Sequence, residues 1–121
     1  MGLACAKALL GEGCEVTING RDASKLTAVA EQLRLLPGAR VHAVAADINT
    51  PAGRALLLQA CPAPDILVNN NAGPPPGELD DWDHAAWMAA LEANLIAGVM
   101  MIQAALPGMR ARRFGRIVNI T

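Results

Sequence analysis

Apolar positions along this chain switch between two periods. Leu3, Ala6, Leu9 and Leu10 recur at helical spacing, which predicts a helix over residues 2–12 with Gly13 as its stop. Cys14 to Asn19 reads as a strand, and Gly20-Arg21-Asp22 turns the chain. Asp22 or Ser24 caps the next helix, in which Leu26, Val29, Ala30, Leu33 and Leu36 form a stripe ended by Pro37-Gly38. Val41 to Ala46 is a second strand, closed by Asp47. Thr50-Pro51 starts a third helix, a capping hydroxyl followed by proline at the first helical position. That helix carries Leu56 and Leu57 and ends near Cys61-Pro62.

Ile66, Leu67 and Val68 are consecutive apolar residues, the pattern of a strand covered on both faces, as in a parallel sheet. They run into Asn69-Asn70-Asn71-Ala72-Gly73 and then Pro74-Pro75-Pro76-Gly77. Asn and Gly tolerate unusual backbone angles, and ligands of open α/β sheets sit beyond the carboxyl ends of strands. The loop is therefore either a ligand wall or a plain strand-ending turn. Asp83 is the expected cap of a long helix, with Trp87, Leu91, Leu95, Gly98, Ile102 and Leu106 along one face. Pro107-Gly108 kinks or ends it, unless Met109-Arg110 continue it, and Arg110, Arg112 and Arg113 read as a solvated basic end. Arg116 to Thr121 is a final strand. Helices and strands alternating at this spacing imply βαβ crossovers and a parallel sheet in one domain, residues 1–121.

A hydrophobic fraction of 53% rules out a disordered chain. The formal net charge is −1 and no basic block occurs, so no nucleic-acid partner is expected. No apolar run reads as long enough to span a bilayer, and Met1 to Lys7 looks like helix, not signal peptide. Cys5, Cys14 and Cys61 are isolated, without metal spacing. They read as small core thiols of a reducing compartment, with no metal site.

Four single residues add chemistry. Gly2, at the start of a helix, lets a phosphate approach the backbone N–H groups and the positive end of the helix dipole. Arg21 follows the first strand, where dinucleotide-binding sheets meet the adenosine ribose; an acid there accepts from the 2′-hydroxyl, whereas an arginine accommodates a 2′-phosphate. That favours NADP over NAD, although Asp22 is an acid that competes for a ribose role. Asp47 either accepts from an adenine amino group or caps its loop. Asn94 lies on the apolar stripe of the long helix, where its amide must be hydrogen-bonded.

Gly2, Gly20-Arg21, Asp47, the Asn69–Gly73 loop, Asn94 and Arg116-Ile117-Val118-Asn119-Ile120-Thr121 occur in an order and at intervals that resemble the short-chain dehydrogenase/reductase family, in particular its bacterial 3-oxoacyl-carrier-protein-reductase-like members. The resemblance covers essentially the whole chain. It implies an α/β fold, a Rossmann-type parallel sheet with helices on both faces, truncated here at both ends. It implies an oxidoreductase that moves hydride between nicotinamide and a carbonyl or alcohol carbon of a small molecule. By the same carry-over, Gly2 looks like the last glycine of the cofactor loop, Arg21 like the 2′-phosphate contact, and Asp47 and Ile48 like the adenine contacts. Asn70, Asn71, Ala72 and Gly73 look like the cofactor wall, and Asn94 like the tetrad Asn that holds a relay water. The family usually has two Asn before Ala-Gly, where this chain has three, so either Asn70-Asn71-Ala72-Gly73 is the motif or Asn69-Asn70 keeps the register; Gly73 favours the first.

The family's Ser and its Tyr-x-x-x-Lys pair have no counterpart, and the chain holds no tyrosine at all. The resemblance thus implies an internal part of a longer cytoplasmic enzyme, inactive alone. The strands around Val16 and Leu67 would flank an absent first strand, so the chain alone is expected either to fold poorly or to pair these two strands directly. A homo-oligomer through the 84–109 helix is implied as well. The alternative is a non-catalytic nucleotide-binding or interaction domain.

Overall fold

The computed structural model, which describes residues 1–71 and 76–120, forms each predicted helix and strand. The chain divides into two compact units, Met1–Pro62 and Ala63–Thr121.

In the first unit, helix α1 (Gly2–Gly11) turns at Gly13 into strand β1 (Glu15–Gly20). Gly13 takes φ 78°, a left-handed conformation that glycine adopts without a steric penalty. Helix α2 (Ala23–Arg34), strand β2 (Arg40–Ala45) and helix α3 (Pro51–Ala60) follow. β1 and β2 pair in parallel from Glu15 opposite Arg40 to Gly20 opposite Ala45. Ala6 and Leu10 of α1, Val16 of β1, Ala30 and Leu33 of α2 and Val41 of β2 make one buried cluster. Leu33 is fully enclosed, a burial that contributes about 1.5–3 kcal/mol. The caps are those the sequence indicates. Asp22 accepts from the Lys25 N–H at 3.0 Å, and Thr50 from the Gly53 N–H at 3.0 Å. Each such cap stabilises a helix terminus by satisfying an N–H that has no partner within the helix.

In the second unit, strands β3 (Ile66–Asn69) and β4 (Arg116–Asn119) pair in parallel, with Asn69 opposite Asn119. Between them, a 3-10 turn at Leu79–Asp81 precedes helix α4 (His84–Leu91), a π-turn (Glu92–Ile96) and helix α5 (Ala97–Arg112). Asp83 caps α4 through the Ala86 N–H at 2.8 Å. The helix runs through Pro107 and stops at Arg113, whose φ of 55° closes the last turn. Arg112 is not merely solvated. Its guanidinium donates to the Pro64 carbonyl at 3.0 Å and pairs with Asp65 at 3.3 Å, tying the end of α5 to the segment before β3.

Three expectations change. The strands around Val16 and Leu67 do not pair with each other; each belongs to its own two-stranded sheet. The buried seam of the long helix is Ala97, Met101, Ala105 and Met109, whereas Trp87, Leu91 and Leu95 are 44%, 46% and 53% exposed. The π-turn adds one residue to a turn and so rotates α4 by about 100° relative to α5, but no residue of α4 is buried on any face, and the seam is offset by one residue within α5 itself. Finally, the helical run His84–Arg112, 29 residues, is long and apolar enough to cross a membrane by length and composition. The sequence hides this, because Pro107 reads as a break and Asn94 as an interruption. Glu92 is the only charge between His84 and Arg110. A helix that covers the sheet of a globular α/β domain passes the same test.

Candidate functional site

Parallel strands that alternate with helices send every helix N-terminus to the carboxyl edge of the sheet. In the first unit α1 descends into β1, while α2 and α3 start where β1 and β2 end. Their N-termini at Gly2, Ala23 and Pro51 therefore point toward one edge, and their dipoles favour an anion there. The termini of α2 and α3 are capped by Asp22 and Thr50, but no side chain caps α1, where Gly2 opens the helix.

Arg21 stands at the end of β1, exposed, and makes no hydrogen bond or ion pair among the described residues. Asp22 is occupied. Its carboxylate accepts from the Lys25 N–H and, at 2.7 Å, from the Ser24 hydroxyl, with the Lys25 ammonium at 3.5 Å. The backbone hydrogen bond from Lys25 first, then the Ser24 hydroxyl, lower its pKa from 3.8 to about 2. An acid committed to a helix cap competes poorly for a ribose, which leaves the Arg21 guanidinium as the free group of this turn.

Beside it, Asp47 follows β2 and shapes its own loop. Its Oδ1 accepts from the Asn49 N–H at 3.0 Å, and its carbonyl accepts from the Thr50 N–H and hydroxyl. The Ile48 carbonyl takes a 2.8 Å hydrogen bond from Arg54. Two residues outside every sequence motif build this edge. Asn19 donates its side-chain amide to the carbonyls of Val44 and Ala46, at 2.9 and 3.0 Å, locking the end of β1 onto the end of β2. Gly53 lies against the Asp47 backbone, where a side chain has no room. A polar residue in the last positions of an apolar strand was the available signal for Asn19; nothing in the sequence marks Gly53 as a site of close approach.

In the second unit Asn69 is the last residue of β3 and donates to the Asn119 side chain at 2.8 Å, a pair that strand register alone predicts. Asn70 is exposed. Asn71 turns its amide to the Ala93 carbonyl at 2.9 Å. Ala72 and Gly73 lie outside the described residues. Asn94 is exposed, like Leu91 and Leu95 beside it, and lies within the π-turn and not in the buried seam. Its amide is satisfied as expected, by the Ala90 carbonyl at 3.0 Å. The structure thus brings Arg21 and Asp47 to one sheet edge with Gly2 directed toward it, and separately brings Asn71 to the turn that carries Asn94. No cluster of metal-binding side chains occurs among the described residues.

Comparison with known proteins agrees with this geometry. A profile of the short chain dehydrogenase family matches residues 1–121. The uncharacterized oxidoreductase YvaG of Bacillus subtilis (strain 168) is 34% identical, a match covering 99% of this chain and 46% of that protein. D-beta-hydroxybutyrate dehydrogenase of Cupriavidus necator is 32% identical, covering 99% of this chain and 48% of its own. The crystal structure of L-sorbose reductase from Gluconobacter frateurii, complexed with NADPH and L-sorbose, superposes with a TM-score of 0.90 at 30% identity, covering 98% of this chain and 46% of that one. The chain spans about half the length of the relatives it matches. With the family profile matched along all 121 residues and the parallel α/β geometry in place, the chain belongs to the short chain dehydrogenase family and carries part of its Rossmann-type fold.

Proposed function

We propose that these 121 residues form the cofactor-binding part of an NADP-dependent oxidoreductase that interconverts a carbonyl and an alcohol on a small molecule. The observation that carries the NADP reading is the division of labour between neighbours: Arg21 is exposed and uncommitted, while Asp22 is held as the cap of α2. A guanidinium matches a 2′-phosphate in a bidentate way, and a carboxylate in that place would repel it. L-sorbose reductase, a relative by structure, was solved with NADPH, which supports the same choice.

In this reading the uncapped start of α1 at Gly2 receives the pyrophosphate, Arg21 the 2′-phosphate, and Asp47 with Ile48 the adenine. Asn70, Asn71, Ala72 and Gly73 line the nicotinamide ribose. When bound, the nicotinamide supplies or accepts the hydride. Asn94 holds a water that passes protons to and from the site, and the general acid comes from outside these residues, since none of them is a tyrosine. Residues 1–121 act as one functional domain in the cytoplasm. The exposed apolar face of α4, with Trp87, Met88 and Leu91, buries itself against a second copy.

The test is carbonyl-dependent oxidation of NADPH by the full-length protein that carries these residues. Turnover that falls about a hundredfold or more in Asn94→Ala is expected, the lower end of what a proton-transfer group contributes. Absence of NADPH binding at about millimolar concentration, a very weak affinity, overturns the cofactor reading. Parent-like turnover of Asn94→Ala overturns only the role of Asn94.

A further inference from the structure

The π-turn at Glu92–Ile96 is braced by two side-chain amides that reach different carbonyls. Asn94 reaches back within the helix to Ala90 at 3.0 Å, and Asn71 reaches in from the segment after β3 to Ala93 at 2.9 Å. Within a π-turn the backbone pairs i to i+5, as the Ala97 N–H does with the Glu92 carbonyl. That ladder is rarer and less stable than the α-helical one and persists where surrounding contacts hold it. Ala90 and Ala93 are three residues apart, so their carbonyls lie on neighbouring rows of the helix. The bond from Asn71 is the long-range one of the two, spanning 22 residues of sequence. It fixes the carbonyl immediately before Asn94.

We propose that Asn71 is a positioning residue for Asn94: by holding the Ala93 carbonyl it keeps the π-turn in the register that presents Asn94. This rests on the reading of Asn94 as the relay residue. Asn71 is well suited to the task. Its amide is neutral and donates at every pH, and its short side chain leaves little slack between the segment after β3 and the helix. An alanine at this place removes the donor. An aspartate of nearly the same shape sets a charged acceptor against a carbonyl, so it loses the bond without losing the volume.

Backbone amide hydrogen exchange across residues 92–97 tests the tether in the full-length protein. Asn71→Ala and Asn71→Asp are each expected to speed exchange there about five-fold, the equivalent of one ordinary hydrogen bond, while α1 to α3 keep their protection. Unchanged exchange in Asn71→Asp, the shape-conserving variant, overturns the proposal. Kinetics test the positioning role. Asn71→Asp lowers kcat by a larger factor than it raises KM for NADPH, and at saturating NADPH Asn71→Asp combined with Asn94→Ala turns over no more slowly than Asn94→Ala alone. A loss confined to KM, or a double variant much slower than Asn94→Ala, overturns it. Should Asn94→Ala turn over like the parent, the relay reading fails and the positioning role fails with it. The exchange result then still shows whether the tether exists.

Discussion

Gly53 sits so close to Asp47 that a Cβ on it would overlap the Asp47 carbonyl. The contact lets the first turn of α3 tuck under the loop after β2, and it fixes the place from which Asp47 and Ile48 face the sheet edge. Gly53 also donates its N–H to the Thr50 cap, so the same residue serves the cap and the close approach. Gly53→Ala is expected to destabilise the fold by about 1–3 kcal/mol, the usual cost of overpacking against atoms that cannot move aside. A denaturant titration measures it. An unchanged midpoint would show that the loop relaxes freely and that the close approach is unimportant.

The cofactor preference turns on one position. Arg21→Asp is expected to weaken NADPH binding at least tenfold while NADH is weakened much less or gains. The substitution removes a charge-assisted contact to the 2′-phosphate and sets a like charge beside it. Fluorescence titration with both nucleotides measures the ratio. Equal loss for the two would sink the NADP reading and leave the family assignment untouched.

Asp22 makes stability depend on pH in acid. Its folded pKa of about 2 lies below the ordinary value of 3.8, so the charged form is favoured in the fold. The stabilisation is complete above the unfolded pKa and is lost as pH falls from about 4 toward 2. The group is exposed, so the effect is small and shrinks with salt. In an Asp22→Asn variant the new amide still caps α2 but does not titrate. The variant's denaturation midpoint should therefore fall less steeply than the parent's over that window. Parallel curves would mean that Asp22 contributes nothing to the acid limb.

The apolar face of α4 carries a prediction about assembly. Trp87, Met88 and Leu91 are 44%, 52% and 46% exposed, an unusual concentration for a free helix face. Leu91→Arg is expected to shift the full-length protein toward smaller species in analytical ultracentrifugation without lowering its thermal midpoint. A parent-like sedimentation profile would argue that this face is not where copies meet.

Much of the chain is legible from residue order. Asp22, Thr50 and Asp83 are readable as caps because capping is a local event, decided within four residues. The strands show as short apolar runs between breakers, and their alternation with helices implies parallel pairing. Asn71 and Asn94 stand out as amides in unusual places. Their partners at Ala93 and Ala90 are not readable, since either amide has many carbonyls within reach before the chain is folded. Asn19 reads as an ordinary strand residue. Its role emerges only when β2 lies beside β1 and offers the Val44 and Ala46 carbonyls.

Spacing, local hydrogen bonding and residue type were enough to set which segments are helix and strand, where they start, and the family to which the motifs belong. Folding in three dimensions settled the rest. A five-residue π-turn interrupts the long helix, Trp87, Leu91 and Leu95 lie exposed, and the buried seam runs along Ala97, Met101, Ala105 and Met109. Helical periodicity assumes a constant angle per residue, and one wide turn resets that angle without leaving a mark in composition. The same limit applies to Gly53. Whether a glycine is needed depends on which backbone comes to rest against it, and that is fixed only when α3 folds back under the end of β2.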